Sequence, residues 1–239
     1  VASSYTFLDV RVDNVTMNQT VAGISDAIKQ KRPYSVVTVN PELVMAARDN
    51  ATFKQFIKDA DVVTPDGIGL IIIGRLTGRR LYERVTGVDL CSRLAKEAAM
   101  HGWSIYLLGA GAGIAKQAAK NLRDTRPDLV IVGANSADPD DLLANDIIID
   151  IKKMKPDILL VAYGSPTQEL WIKKHRKQIG NIVTIGVGGS FDFIAGSAKR
   201  APKLVQKIGL EWLWRLIMQP SRLRRMLALP KFAILSLFE

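Results

Sequence analysis

One cysteine and two histidines are all that 239 residues offer of the side chains that most often bind zinc or pair as nucleophile and base. Cys91, alone in the apolar stretch VDLCSRLA, excludes an intramolecular disulfide and a thiolate cluster, and suits a reducing cytoplasm. His101 and His175 stand outside any nucleophile elbow. A Ser-His triad on Ser165 is therefore set aside, and both histidines are expected as solvated helix residues. No run reaches the roughly 18 apolar residues that a spanning helix needs, and the opening VASSYTFLDV lacks a basic-then-apolar signal pattern. The expectation is a chain that neither spans a membrane nor is secreted. Internal repeats and low-complexity linkers are also missing. The length then leaves room for one sizeable α/β core and an appendage.

Acids are scarce at one end. Residues 199–239 carry nine Lys/Arg against two acids, which places seven of the ten net positive charges there. Attraction for polyanions, whether nucleic acid, anionic lipid or diphosphate, is concentrated in that segment. The composition changes at Lys199, where RAPKLVQKIGLEWLWRLIMQP begins. Leu204, Val205, Ile208, Trp212, Leu213, Leu216 and Ile217 crowd the helical wheel among basic residues. Pro220 is expected to end that helix, Ser221 to cap the next, and Pro230 to end it in turn. Short basic amphipathic helices of this kind suit a membrane interface.

What the remainder holds is alternation. Short β-branched runs at 34–39, 61–64, 104–108, 129–132, 157–162 and 182–187 alternate with helical patterns, as in βαβ units. They are apolar on both faces, as parallel strands covered by helices should be. The expected fold is α/β, a Rossmann-like, doubly wound, mainly parallel sheet, with residues 1–198 as catalytic domain and 199–239 as a helical membrane-association appendage. Polar residues and glycines follow the strands in TVNPE, TPDG, LLGAGAG, AYGSPTQE and GVGGSFD, where open α/β sheets bind ligands.

Each of these strand ends has a chemical and a plain structural reading. Gly109, Gly111 and Gly113 let backbone approach a phosphate at a helix N-terminus, or simply make a tight turn. The spacing is not G-x-G-x-x-G and no acid ends the following strand, which argues against NAD. Asp138 and Asp140 have D-x-D metal-binding spacing, but acids before a helix are also favoured electrostatically. Asp66 in VVTPDGIG is a general base at a cleft or the cap of the helix after it. Thr38, Asn40 and Glu42 bind sugar hydroxyls or cap the helix begun by Pro41. Arg84 faces phosphate or solvent. In AYGSPTQELW, Gly164 and Pro166 shape a loop, Gln168 supplies an amide that both donates and accepts, and Glu169 opens the helix. Asp192 accepts from a nucleobase or ribose, or caps.

The motifs TVNPE, TPDGIG, RVTGVDL, YGSPTQELW, GVGGSFDFIAG, RAP and GLEWLWRL, with P-x-R-x-x-R after it, occur in order over nearly the whole chain. In this combination the sequence resembles the WecG/TagA/CpsF glycosyltransferases. The resemblance implies an inverting transferase that needs no metal or other cofactor, a UDP-amino sugar donor and an undecaprenyl-diphosphate-linked acceptor. It makes Asp66 the base, with Arg84 and Gln168 completing the expected catalytic set. Thr38 and Asn40 become pocket residues and Asp192 a nucleotide contact, while Arg215, Arg222 and Arg225 close over the site and meet diphosphate. Likeness to the TagA branch implies N-acetylmannosamine transfer in teichoic acid linkage synthesis. A mannosaminuronic acid or hexose donor, in capsule or common-antigen synthesis, stays open. The implied location is the inner face of the plasma membrane, held peripherally by anionic lipid, with homo-oligomers off the membrane and no nucleic-acid partner. A basic nucleic-acid or membrane-binding module is the non-enzymatic alternative.

Overall fold

The computed structural model describes residues 3–139 and 141–239, without the side chains of residues 141–143. The D-x-D reading falls partly on Asp140, outside the described residues. Two strands, β1 (Ser4–Phe7) and β2 (Val10–Asp13), pair as an antiparallel hairpin. Six more form one sheet: β3 (Tyr34–Val39), β4 (Val62–Pro65), β5 (Ser104–Gly109), β6 (Val130–Asn135), β7 (Ile158–Ala162) and β8 (Val183–Gly186). Their order is β4-β3-β8-β7-β5-β6 and every pairing is parallel. The expected Rossmann-like sheet is present, and each of its strands overlaps one of the β-branched runs.

The helices are α1 (Met17–Lys29), α2 (Pro41–Asp49), α3 (Ala51–Asp59), α4 (Ile68–Leu76), α5 (Gly87–His101), α6 (Ile114–Thr125), α7 (Asp141–Met154), α8 (Thr167–Ile179) and α9 (Ser190–Ala195). Strand side chains alternate between two apolar layers, as period-2 geometry requires. Val37, Val39, Tyr106, Leu108, Leu159 and Val161 point into the layer built by α2, α3, α4, α7 and α8. Val36, Ile105, Leu107, Ile158 and Leu160 point into the layer built by α1, α5, α6 and α9. Cys91 lies in the second layer, where burial pushes its thiol up to about 12 and leaves it inert. His101 is exposed, as expected. His175 is not: it is buried against the Trp171 ring, 4.8 Å between centroids, with Nδ1 2.8 Å from Gln178 Oε1. The helical face it occupies is the apolar one, shared with Trp171 one turn earlier.

Beyond residue 198 come α10 (Lys203–Lys207), α11 (Glu211–Met218), a 3-10 turn (Pro220–Arg222), α12 (Leu223–Met226) and α13 (Ala228–Leu237). Ser221 lies within the 3-10 turn and caps nothing, since α12 starts after Arg222 without a side-chain cap. Pro230 does not end a helix but sits in the first turn of α13. There the missing N–H has no intrahelical partner to lose, so proline is tolerated. The segment is docked on the core. Phe232 is fully buried in the first apolar layer, its ring 6.2 Å from that of Phe7, and the Glu239 carboxylate accepts from Arg79 at 2.8 Å and from the Leu8 N–H at 3.1 Å. No helix among the described residues is long and apolar enough to cross a membrane.

Phe232→Ala should cost about 3 kcal/mol of stability, because the vacated volume lies between α13 and the hairpin. Denaturant unfolding measures the loss. Faster amide exchange confined to α13 would be its local counterpart.

Candidate active site

A cavity of about 530 Å³ opens beyond the carboxyl ends of β3, β4, β7 and β8, roofed by α11 to α13. This is the edge at which open parallel sheets expose strand-end loops and helix N-termini to a ligand. Apolar side chains of α4 and the tail, among them Ile72, Ile73, Trp212, Leu229 and Phe232, form one wall. Polar strand-end residues form the other.

Asp66 follows β4. Its own N–H donates to the Val39 carbonyl at 2.7 Å, which continues the β3–β4 ladder and fixes the backbone. Its carboxylate accepts from the Gly87 N–H at the start of α5, at 3.3 Å. It does not cap α4, whose N-cap is Gly67 without a side-chain bond. Burial raises its pKa to about 7, against the pull of Arg215, the Gly87 N–H and Arg84; Glu211 adds to the rise. A carboxylate so tuned is half ionised near neutrality, which suits proton abstraction.

Thr38 ends β3, buried, with its hydroxyl donating to the Gly186 carbonyl at 3.4 Å. Asn40 does cap α2: its Oδ1 accepts from the Leu43 N–H at 2.9 Å, with Pro41 in the first turn. The side-chain NH2 is what it has left for a ligand, and Asn40 also lines the cavity. The capping reading of that residue holds, and the cap leaves its amide at the cavity.

Gln168 is a clamp between two strand-end loops. Its Nε2 donates to Ser165 Oγ at 3.1 Å and Glu169 Oε1 at 2.7 Å, while its Oε1 accepts from the Gly188 N–H at 2.9 Å. A Cβ at Gly186 would stand 2.5 Å from Gln168 Nε2, so β8 must carry glycine there for the amide to fit. Gly164, Ser165 and Gln168 line the cavity, whereas Pro166 and Glu169 do not. Pro166 is the N-cap residue of α8. Glu169 is buried behind Gln168, accepting from Ser165 Oγ at 2.7 Å; burial raises its pKa, and its Oε2 has no partner among the described residues.

Arginines supply the positive side. Arg84, Arg215, Arg222 and Arg225 all line the cavity. Arg225 pairs with Glu42, and Arg222 Nε donates to Gln219 Oε1 at 2.5 Å. Burial, with Arg215 and Arg225 close by, lowers the Arg222 pKa, so an anion there would relieve mutual repulsion. The Arg215 guanidinium lies 4.6 Å over the Phe193 ring, and its Nε is buried without a partner among the described residues. Asp192 belongs to a second hollow, about 210 Å³, lined also by Phe193, Ser197 and Lys199. Gly189, Arg215 and Arg222 line both hollows and join them. Gly109 lines neither, and its backbone packs against Tyr163, where a Cβ would come within 2.8 Å of the ring. Among the described residues no group of three or more His, Cys, Asp or Glu is placed to hold a metal ion.

Sequence reasoning missed Glu211, Arg200 and Asp89. Arg200 makes two bonds to Asp89, at 2.6 and 2.9 Å, and reaches Glu211 at 3.3 Å. Glu211 carried a signal as one of two acids in the basic segment 199–239, while Arg200 and Asp89 stood in the motifs RAP and RVTGVDL without a role of their own.

A parallel α/β core with a base-like carboxylate and gathered arginines at its strand ends fits enzymes that transfer groups from diphosphate donors. The chain matches the model of the Glycosyl transferase WecG/TagA/CpsF family over residues 5–239 and belongs to that family; it is a glycosyltransferase. It is 35% identical over 212 residues, 89% of this chain and 82% of the relative, to a protein of Bacillus subtilis (strain 168). Identity to a protein of Bacillus spizizenii (strain W23) is 33% over 205 residues, 86% and 79% of the two chains. For one of Staphylococcus aureus (strain MW2) it is 32% over 227 residues, 94% and 89%. All three carry the name N-acetylglucosaminyldiphosphoundecaprenol N-acetyl-beta-D-mannosaminyltransferase.

A raised carboxyl pKa has a consequence for stability. The folded state holds the Asp66 proton more tightly than the unfolded chain, so stability falls as pH rises from the ordinary value of 3.8 to about 7, and the deficit is constant above that. Asp66→Asn removes the deficit. The variant should melt higher than wild type at pH 8, with the gap closing as pH is lowered toward 4, in thermal scans across that range.

Proposed function

We propose that this chain transfers N-acetylmannosamine from UDP-N-acetylmannosamine, with inversion and a β-1,4 linkage, to GlcNAc-diphospho-undecaprenol, a step of wall teichoic acid linkage-unit synthesis. The observation that carries the reading is Asp66, a single carboxyl tuned to about 7 that lines a cavity shared with Arg215, whose buried Nε has no partner among the described residues. The named relatives supply the sugar and the acceptor.

The acceptor hydroxyl attacks the anomeric carbon on the face opposite UDP. Asp66 takes the hydroxyl proton as the new C–O bond forms, and the electron pair of the breaking C–O bond leaves on the β-phosphate oxygen. That oxygen gains charge only as the bond breaks. Cations fixed beforehand beside it therefore stabilise the transition state more than the ground state. Arg84, Arg215 and Arg222 take this part, in place of a metal, with Arg225 held nearby by Glu42. The buried, unpartnered Arg215 Nε supports an anion in this place, because an unsatisfied buried donor is costly until a ligand accepts from it. Thr38, Asn40 and Gln168 take sugar hydroxyls. Asp192, in the adjoining hollow beside Phe193, takes the ribose or base of the nucleotide.

The apolar wall faces the polyprenyl side of the acceptor. Outside the cavity, Leu204, Ile208, Ile217, Leu223 and Leu227 are exposed among Lys203, Lys207 and Arg224. An apolar and basic face of this kind favours an anionic bilayer, where the lipid acceptor resides, and off the membrane it favours pairing of subunits. We place the enzyme on the inner face of the plasma membrane on this ground.

A panel of UDP-sugars with a short lipid-diphosphate GlcNAc acceptor tests the proposal. UDP-N-acetylmannosamine should be the preferred donor with and without EDTA, and Asp66→Ala should lose about 100-fold or more in kcat. Preference for a uronic acid or hexose donor, loss of turnover in EDTA, or a fully active Asp66→Ala would each contradict the corresponding part.

A further inference from the structure

Glu211 is the one acid between Lys199 and Phe238, and only 7% of its surface is exposed. Three guanidinium groups converge on its carboxylate: Arg200 at 3.3 Å, Arg84 at 3.5 Å and Arg215 at 3.6 Å. They come from the segment after α9, the loop before α5 and the next turn of α11, respectively. Arg200 is further bound by Asp89. Arg84 and Arg215 are the two cations whose charges act on Asp66.

Asp66 forms no salt bridge among the described residues; its carboxylate is bound only by the Gly87 N–H. That is unusual for a half-buried carboxylate in the field of two arginines that line the same cavity. Left to themselves they would close on it as charge-assisted, bidentate pairs. Such a pair would make Asp66 a strong acid with little appetite for a proton. It would also draw off the cations that a diphosphate needs. Both arginines instead turn to the second carboxylate.

We propose that Glu211 is a positioning residue for the transfer: by competing for Arg84 and Arg215 it keeps them beside the diphosphate path and out of a salt bridge with Asp66. The proposal rests on the reading of Asp66 as the base. Its logic is electrostatic. The ion pairs to Arg84 and Arg215, at 3.5 and 3.6 Å, are looser than the bonds of Arg200 to Asp89, at 2.6 and 2.9 Å. The first two arginines can thus be shared with an arriving phosphate while the third ties α11 to α5. Among the other charged groups around the cavity, Arg222 donates to Gln219 and has no ion pair among the described residues, and it stays on the diphosphate side. Asp89 is held by Arg200 and by the Thr86 hydroxyl, and Glu42 by Arg225. The Gly87 N–H remains on Asp66 throughout. Removing the Glu211 charge acts on Asp66 in one direction, because a negative neighbour is lost and two positive ones are released toward it.

The test uses the full chain with 13C-labelled aspartate, following the Asp66 carboxyl resonance with pH in the absence of substrate, in wild type, Glu211→Gln and Glu211→Asp. In Glu211→Gln the midpoint should fall by roughly one pH unit. In Glu211→Asp, which keeps the charge but withdraws it, the fall should be smaller. The acid limb of kcat/KM should follow, so that at pH 6 the Gln variant retains about fivefold more of its own plateau rate than wild type does. An unmoved Asp66 midpoint in the folded variants, with kcat/KM reduced evenly at every pH, would overturn the proposal and leave Glu211 a latch between α11 and α5. If Glu211→Gln does not fold, the Glu211→Asp midpoint decides alone: a fall supports the proposal and no change overturns it. The titration needs no turnover. A still-active Asp66→Ala would remove the base assignment without altering what the titration says about Glu211.

Discussion

Taking a carboxylate out of water is costly unless something replaces the lost hydration, and proteins usually supply an arginine. Asp66 is denied that remedy. It has a backbone N–H, two arginines near enough to influence it, and no salt bridge among the described residues. The cost appears as a pKa near 7, and that value is what a proton acceptor working near neutral pH requires. The arrangement persists only if the surroundings are stiff. The ladder bond of Asp66 to Val39 and the N-terminus of α5 supply the stiffness on one side. On the other, the Gln168 clamp holds the β7 and β8 loops together.

On the proposed function, the basic segment after Lys199 has a part in the chemistry as well as in attachment. Glu211 and Arg215 lie on α11, and Arg222 and Arg225 follow it. Phe232 on α13 is buried in the same apolar layer as α2 and α4, which carry the cavity's polar and apolar walls. Without α11 to α13 the strand ends would keep Asp66, Thr38 and Gln168 but lose most of the positive charge. They would also lose the wall beside the half-buried carboxyl, and its pKa would drift toward that of an ordinary aspartate.

The sheet was legible because parallel strands buried on both faces leave continuous β-branched runs; the run at 34–39 became β3 without a change of boundary. The β1–β2 hairpin was not, because its turn residues Leu8 and Asp9 adopt φ values of 48° and 63° with no glycine or asparagine to announce them. Proline misled at position 230, where the first turn of α13 accommodates it. Within the site, strand-end polar residues such as Thr38, Asp66 and Gln168 could be named from position, since the fold brings strand ends together. Gly109 could be named by the same rule but stands outside both hollows, because β5 lies beyond β7 and away from β3 and β4. Glu211 stood out only as an acid in a basic segment, and its part could not be read. Its meaning lies in Arg84 and Arg200, which are remote in sequence and reach it only through the docking of α11.

The central claim is that a half-ionised Asp66 limits turnover at neutral pH. The direct measurement is kcat/KM of the wild-type chain between pH 5 and pH 9, with UDP-N-acetylmannosamine and a lipid-diphosphate acceptor. The account predicts a rate that rises tenfold per unit on the acid side and levels off above about 7, the value to which burial lifts this carboxyl. A rate that stays flat down to pH 5 would contradict it.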